Sequence, residues 1–143
     1  NIPIRDISLV VSVPDRVVYL LHEGAVVCPF PAVLGGDDTP TPQGRLSIIR
    51  KEFARANLPS LASSAVGDPA NLGAGWLGLS RGGYGIHGGA TEDDLLGAAT
   101  RGTVRVTDDA IEALADFVTP GTPVHIVASS PEIEWKALPV DLR

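Results

Sequence analysis

Cysteine and lysine are scarce in this sequence, and their scarcity excludes several classes of protein. The single cysteine, Cys28, can form no disulfide within the chain and belongs to no metal-binding spacing. Only two lysines accompany nine arginines, and the formal net charge is −6. Because nucleic-acid binding needs clustered cations and no such run is present, we expect no nucleic-acid partner. The arginines still permit ligands that carry carboxylates, since the guanidinium fork matches a carboxylate.

Long apolar runs are also absent. No stretch reaches the roughly 18 consecutive apolar residues that a membrane-spanning helix needs, so we expect no membrane span in this chain. The first residues lack the charged region followed by an apolar stretch that marks a signal peptide. The chain begins at Asn1 rather than at a methionine. We therefore expect an excised domain or a processed product, whose export signal or anchor would belong to the missing part.

Length and composition indicate one globular domain. With 143 residues, of which 44% are apolar and 20% charged, the chain is long enough to bury a core. We expect residues 1–143 to form a single domain, with 129–143 as a C-terminal tail in which Trp135 packs back onto the body. The sequence carries no sign of the oligomeric state.

Short β-branched runs separated by turn residues predict a mainly β fold of antiparallel strands. Pro29 and Pro31 would each remove a hydrogen-bond donor from a sheet, so the run that contains them is expected at an edge or a bulge. Residues 52–75 are rich in small and polar residues and predict a long loop. The predicted strands are 7–13, 17–21, 25–33, 44–51, 76–80 and 122–128.

One long helix is predicted over residues 107–118. Thr107 is a suitable N-cap, and Asp108 and Asp109 favour the first turn. Pro120-Gly121 ends the helical pattern. A shorter helical turn is expected over 91–96, capped by Thr91. The apolar stripe of the long helix is Ala110, Ile111, Leu114, Phe117 and Val118.

Two segments rich in small residues carry the candidate chemistry. Residues 82–88 read Gly-Gly-Tyr-Gly-Ile-His-Gly and place His87 between small residues, where a ligand can approach the backbone closely. Residues 99–106 read Ala-Thr-Arg-Gly-Thr-Val-Arg-Val. The first resembles the Gly-Ile-His-Gly motif of the L,D-transpeptidase (YkuD) family, and the second resembles its Ser-His-Gly-Cys-apolar-Arg signature. Further similar segments lie at 39–44, 76–78 and 120–124.

This resemblance implies a fold, a reaction and a setting. The fold would be a β-rich α+β domain, a β-sandwich of the L,D-transpeptidase type with one main helix at about 107–118. The family cleaves a peptidoglycan tetrapeptide stem, which bears carboxylates, through a cysteine thioester and transfers the acyl group to a side-chain amine. The setting would be the bacterial cell wall, in a periplasmic or extracytoplasmic location. No cofactor and no metal ion are implied.

The resemblance also assigns roles to particular residues. His87 takes the position of the general base, and Thr103 takes that of the nucleophile. The backbone N–H groups of Gly102 and Thr103 would form the oxyanion hole. The expected substrate-binding residues are Tyr84, Gly88, Thr100, Arg101 and Arg105, of which Arg105 is expected to anchor the loop to a carbonyl or an acidic neighbour.

Four positions depart from the family pattern, and one of them affects the reaction directly. Thr103 stands where the family has its nucleophilic cysteine. A threonine hydroxyl is far less acidic than a thiol, and its branched carbon restricts χ1. By analogy with other nucleophile losses we expect a decrease in rate of about 10³-fold or more. The other departures are Thr100 for Ser, Arg101 for His and Gly89 for Thr.

Two functions stay open at this point. The first is a diverged L,D-transpeptidase domain with the family reaction much impaired. The second is a non-catalytic domain that binds peptidoglycan or serves as a scaffold. An engineered change at Thr103 is a further alternative, although Arg101 beside it argues for natural divergence. Each of these residues also has an interpretation without a function. Thr103 would then be a loop hydroxyl bonded to nearby backbone, His87 a structural histidine and Arg101 a solvated cation.

Two other residue types offer weaker candidates. Cys28 lies in a predicted strand, where a free cysteine is usually a buried small apolar residue rather than a nucleophile. His22 and His125 lie in or beside predicted strands without a carboxylate-rich partner motif, so no metal site is expected there.

Overall fold

The computed structural model of the chain describes residues 6–53, 73–129 and the backbone of 134–135. Short strands dominate, as their β-branched sequences predict. Two helices interrupt them, a short one and a long one. In chain order the elements are β1 (Ile7–Ser12), β2 (Val17–His22), β3 (Ala25–Pro31), β4 (Gly44–Phe53), β5 (Gly75–Leu79), β6 (Gly85–His87), α1 (Glu92–Leu95), β7 (Val104–Arg105), α2 (Asp108–Phe117), β8 (Pro123–Val127) and β9 (Glu134–Trp135).

The nine strands form one sheet in the order β7-β6-β5-β4-β8-β1-β2-β3-β9. The pairs β1–β8, β3–β9 and β6–β7 are parallel, and the other pairs are antiparallel. The prediction of an antiparallel fold is therefore wrong for three pairs. A parallel pair needs a crossover connection, and the stretch that contains α1 provides one between β6 and β7.

The sheet curls until the segment that follows β3 meets β7. Val33, just after β3, forms an antiparallel bridge with Arg105 of β7 at the opposite end. The Val33 N–H donates to the Arg105 carbonyl at 2.7 Å, and the Arg105 N–H donates to the Val33 carbonyl at 2.9 Å. A second bridge joins Gly35 to Thr100. The expected sandwich-like, mainly β fold is thus confirmed, as one curled sheet.

Helix α2 packs against β5 and β6 through its apolar stripe. Ala110, Ile111 and Leu114 are buried there. Thr107 caps the helix, because its side-chain oxygen accepts the Ala110 N–H at 3.1 Å. The main helix was therefore correctly predicted. The shorter helical turn is also present as α1, with Thr91 as its N-cap.

Strand β3 lies near the other edge of the sheet. It pairs with β9 only at Ala25 and Val26, so the part that holds Pro29 and Pro31 has no partner on that side among the described strands. The pairing of β2 with β3 also shifts register at one point, so both expected features are present. The predicted tail is corrected at residues 134–135, which form β9. The Trp135 side chain lies outside the described residues.

The predicted loop over 52–75 is shorter at both ends. Glu52 and Phe53 belong to β4, and Gly75 begins β5. Residues 54–72 lie outside the described part of the chain. Within the described residues, no helix combines the length and the apolar character that crossing a membrane requires.

The Trp76 ring covers two glycines of the sheet. Gly78 on β5 and Gly85 on β6 are cross-strand partners, and Trp76 lies two residues before Gly78 on the same face. A Cβ on Gly85 would lie 2.6 Å from Trp76 Cη2 and 2.7 Å from the Leu77 carbonyl oxygen. The indole therefore occupies space that side chains would otherwise take, and only 3% of Trp76 is exposed.

Substitution of Gly85 tests this packing. We expect Gly85→Ala to lower the free energy of unfolding by about 1–3 kcal/mol, because the added methyl meets both the indole and backbone. The matched control is Gly82→Ala, since a Cβ on Gly82 meets nothing within 4 Å. The control should change stability by no more than about 0.5 kcal/mol. Urea denaturation measures the free energy of unfolding of both variants. Equal denaturation midpoints for Gly85→Ala and Gly82→Ala would contradict the assigned packing.

Candidate active site

His87 is held on a rigid part of the fold. It ends β6, which pairs with β5 on one side and with β7 on the other. The His87 carbonyl accepts the Val106 N–H at 2.8 Å, so its backbone is fixed as well. The residue is only 2% exposed. Its imidazole stacks on Trp76, with ring centroids 6.0 Å apart and an angle of 26° between the planes.

The loop that carries Thr103 is closed by the hydroxyl of Thr100. This hydroxyl donates to the Thr103 carbonyl at 2.6 Å and accepts the Gly102 N–H at 3.1 Å. Gly102 adopts φ 121°, a conformation that favours glycine. From outside the loop, an Arg16 Nη2 group donates to the Ala98 carbonyl at 2.7 Å. The loop is therefore fixed both internally and by a distant turn.

The structure brings His87 and Thr103 together although 16 positions separate them. His87 Nε2 lies 2.9 Å from Thr103 Oγ1, and His87 Nδ1 lies 2.8 Å from the Gly88 carbonyl oxygen. Because a carbonyl only accepts, Nδ1 must carry the hydrogen, which leaves the lone pair of Nε2 for the Thr103 hydroxyl. This is the arrangement of a nucleophile, a base and a group that orients the base.

Burial keeps the His87 imidazole neutral. Desolvation lowers its pKa from 6.5 to about 4, and the nearby Arg105 cation acts in the same direction. The hydrogen bond to the Gly88 carbonyl raises the pKa but does not outweigh the desolvation. At neutral pH the imidazole can therefore accept a proton from the hydroxyl.

Asp108 fixes the loop after His87, and sequence analysis missed this role. Its Oδ1 accepts the Ala74 N–H at 2.8 Å and the Gly89 N–H at 3.0 Å. A Cβ on Gly88 would clash with the same oxygen. In the sequence, Asp108 is recognisable as an acidic residue that begins a helix and closely follows the 99–106 motif. Acidic residues at this position usually just interact favourably with the helix dipole, so the sequence did not point to a further role.

Gly89 explains one departure from the family pattern. It adopts φ 97°, in the left-handed region that side chains rarely adopt. A β-branched threonine at this position would be strained. The loop after His87 therefore follows a path that glycine allows.

An open cleft of about 530 Å³ lies beside the Thr103 loop. A Cβ on Gly102 would lie 2.8 Å from Tyr84 Cε1, which places the cleft wall against the residue before Thr103. His87 and Thr103 do not line it, and Thr103 is only 4% exposed. The lining residues are Asp38, Thr39, Pro40, Pro42, Arg81, Tyr84 and Arg101.

Four of the five expected substrate-binding residues divide into two groups, and Arg105 belongs to neither. Tyr84 and Arg101 line the cleft. Gly88 and Thr100 are buried and support loops. Arg105 is half-buried and its backbone pairs with Val33, but its Nε is buried with no hydrogen-bond partner among the described residues.

The predicted oxyanion hole is only partly available. The Gly102 N–H already donates to the Thr100 hydroxyl. The Thr103 N–H makes no hydrogen bond with the described residues. One donor thus remains in this arrangement, and a second would require the Thr100–Gly102 bond to break.

Cys28 and His22 differ somewhat from their sequence interpretations. Cys28 is partly rather than fully buried, and desolvation raises the pKa of its thiol. His22 Nε2 lies 3.4 Å from a Glu23 carboxylate oxygen and 4.0 Å from one of Asp6, so carboxylates do lie beside it. Within the described residues, no three His, Cys, Asp or Glu side chains are grouped to hold a metal ion.

The low pKa of His87 predicts a pH-dependent stability. The unfolded chain binds a proton near pH 6.5, whereas the folded chain resists it until about pH 4. The contribution of the buried neutral imidazole to the free energy of unfolding is therefore present above pH 6.5. It is lost as the pH falls toward 4. We expect wild type to lose about 2 kcal/mol more than His87→Gln between pH 7.5 and pH 5. Denaturant titrations at both pH values measure this difference, and parallel pH profiles would show that the folded imidazole titrates normally.

Comparisons with known proteins agree with this geometry. A profile of the YkuD family, the L,D-transpeptidase catalytic domain, matches residues 6–126. A Bacillus licheniformis protein provisionally named L,D-transpeptidase YkuD is 32% identical over 126 residues, which cover 88% of this chain and 67% of that protein. A Bacillus subtilis (strain 168) protein of the same provisional name is 30% identical over 118 residues, which cover 82% and 64% of the two chains.

Solved structures show the same fold. The L,D-transpeptidase 3 of Mycobacterium tuberculosis, solved with a faropenem-derived adduct, superposes with a TM-score of 0.66 at 19% identity. The match covers 85% of this chain and 60% of that one. This chain thus spans about two thirds of the two Bacillus relatives and less of the mycobacterial protein. With its matched profile and these relatives, the chain belongs to the YkuD family of L,D-transpeptidase catalytic domains.

Proposed function

We propose that this chain is a diverged L,D-transpeptidase domain that engages peptidoglycan stem peptides and transfers acyl groups slowly through Thr103. The observation that carries the proposal is the 2.9 Å contact between His87 Nε2 and Thr103 Oγ1. It joins a neutral base to a hydroxyl at the position of the family's cysteine. The proposed setting is the periplasm or the extracytoplasmic cell wall.

The reaction follows from this contact. Thr103 Oγ1 attacks the carbonyl carbon of the donor peptide while His87 Nε2 takes the hydroxyl proton. The same nitrogen returns that proton to the departing amine, which leaves an ester between the acyl group and Thr103. An acceptor amine then attacks the ester and loses a proton to His87 Nε2. His87 passes this proton to Thr103 Oγ1 as the bond between that oxygen and the acyl carbon breaks.

Three features make this transfer slow. The hydroxyl does not ionise beside an imidazole as a thiol does, so its proton must move during the attack. The branched Cβ of Thr103 restricts the direction of attack. The Gly102 N–H is already bonded within the loop, and one missing oxyanion donor typically costs about 3 kcal/mol of transition-state stabilisation.

A non-catalytic binding domain is the second candidate. The bonded Gly102 N–H favours it, because an intact oxyanion hole would need that donor. The 4% exposure of Thr103 points the same way, since the reacting carbonyl must reach its hydroxyl. In this case the cleft binds the stem peptide and no acyl group is transferred.

Wild type should resist β-lactams that modify its relatives. The mycobacterial relative carries a faropenem-derived adduct. We expect no mass change when this chain is incubated with a carbapenem, because a hydroxyl replaces the thiol. Intact-mass spectrometry checks the outcome. Stoichiometric modification mapped to Thr103 would mean that the hydroxyl is more strongly activated than proposed.

Replacement of Thr103 by cysteine separates the two candidate functions. We expect Thr103→Cys to form a carbapenem adduct slowly, because a thiol gives up its proton to the His87 imidazole more readily than a hydroxyl does. A further His87→Ala change should abolish the adduct. Peptide mapping distinguishes this site from Cys28, whose unchanged thiol serves as an internal control.

The contrary result is equally informative. A general thiol reagent should label the new cysteine whether or not the site is preorganised. Labelling by that reagent, with no carbapenem adduct over hours, would favour the binding domain over the slow enzyme.

A further inference from the structure

The charged residues that line the cleft beside the Thr103 loop are mostly positive, whereas the whole chain is negatively charged. The chain carries a net charge of −6, but two arginines and only one aspartate line this cleft. The three charged residues, Arg81, Arg101 and Asp38, are all exposed at its rim. A single exposed charge contributes little to binding, whereas two guanidinium groups at one cleft favour an anionic group and select against a neutral one.

Arg81 lines the cleft, although no motif in the sequence singled it out. Its guanidinium carbon lies 5.6 Å from the centroid of the Tyr84 ring, a cation–π contact. This contact restricts a long, flexible side chain, so less conformational entropy is lost when a ligand binds. The Tyr84 ring itself is fixed against Gly102, where any side chain would collide with it.

The position of Arg81 follows from the local chain path. The Tyr84 N–H donates to the Arg81 carbonyl at 3.1 Å, which closes a turn between β5 and β6. The Leu79 N–H in turn donates to the Tyr84 carbonyl at 3.0 Å. The turn thus presents Arg81 at the cleft, on the wall that contacts the Thr103 loop through Tyr84.

We propose that Arg81, together with Arg101, makes this cleft selective for ligands with a free carboxylate over the same ligands with a carboxamide. The inference rests on the proposed function, since it concerns which stem peptides the same site accepts. Both oxygens of a carboxylate can accept hydrogen bonds from one guanidinium. A carboxamide has one acceptor oxygen, and its NH2 group is a donor that cannot pair with a guanidinium, which also only donates. Asp38 opposes the anion and sets a limit on its affinity.

The test uses two synthetic stem tetrapeptides that differ only in a free carboxylate against a carboxamide. Their Kd values are measured by titration calorimetry at low and at physiological salt. For wild type we expect the carboxylate form to bind about tenfold more tightly at low salt, with a smaller ratio at higher salt. Arg81→Ala should bring the ratio close to one, and Arg81→Lys should give an intermediate value, since lysine keeps the charge but not the fork.

Two further variants sharpen the test. Asp38→Asn should tighten binding of the carboxylate peptide, because it removes a like charge from the cleft. Arg50→Ala is the matched control, since Arg50 is exposed, carries the same charge and does not line the cleft. The control should leave the ratio of the two Kd values unchanged.

The possible outcomes separate this inference from the proposed function. If both peptides bind equally to wild type, or if Arg81→Ala keeps the tenfold ratio, the carboxylate selectivity is wrong while stem-peptide binding stands. An equal loss of selectivity in Arg50→Ala would reduce the effect to net charge and would also overturn the role of Arg81. If neither peptide binds, both the inference and the proposed function are wrong.

Discussion

The hydrogen bond from His87 Nδ1 to the Gly88 carbonyl is the interaction on which the site depends. It fixes the tautomer, so that Nε2 faces Thr103 as an acceptor. The segment after His87 passes through Gly89 with φ 97°, and Asp108 holds it by accepting the Gly89 N–H. The first residue of α2, two glycines and an imidazole are therefore connected through this segment.

The same strand pairs that form the core also set the electrostatics of the site. His87 lies in one row of the sheet between Trp76 and Arg105. The indole excludes water from one face of the imidazole, and burial gives the largest contribution to its low pKa. A neutral base is useful to a hydroxyl nucleophile, which needs a proton acceptor. A thiol nucleophile gains more from a charged partner, so a neutral imidazole is better matched to the hydroxyl of the proposed function than to a thiol.

Much of the fold and the central pair could be predicted from the sequence, for reasons that differ by element. Helix α2 has a strong cap, acidic residues in its first turn and a regular apolar stripe, so its local signals agree. The approach of His87 to Thr103 followed from the resemblance of two motifs, since no local signal links residues 16 positions apart. The parallel pairs were missed because strand direction depends on the path of the connections.

The roles of Asp108, Gly102 and Arg81 were not predictable, because each depends on how distant segments of the chain come together. Asp108 binds N–H groups of two loops, and Arg81 lies on an aromatic ring that is fixed by Gly102. The Gly102 N–H is used by a hydroxyl only two residues away, but whether that bond forms depends on how strand pairing bends the loop. The secondary-structure propensity of a residue carries no information about which side chains and backbone groups will come into contact in the folded chain.

The contact between Arg16 and the Ala98 carbonyl has a consequence for how the site is assembled. It joins residues 82 positions apart, and the Thr39 hydroxyl reaches the Thr100 carbonyl across 61 positions. Such contacts stabilise the chain only after the entropic cost of closing a large loop has been met. We therefore expect the Thr103 loop to acquire its geometry late in folding, when the curled sheet closes. In the native protein the same dependence ties amide exchange in this loop to opening of the first hairpin, so the site and the closure of the sheet share one cooperative unit.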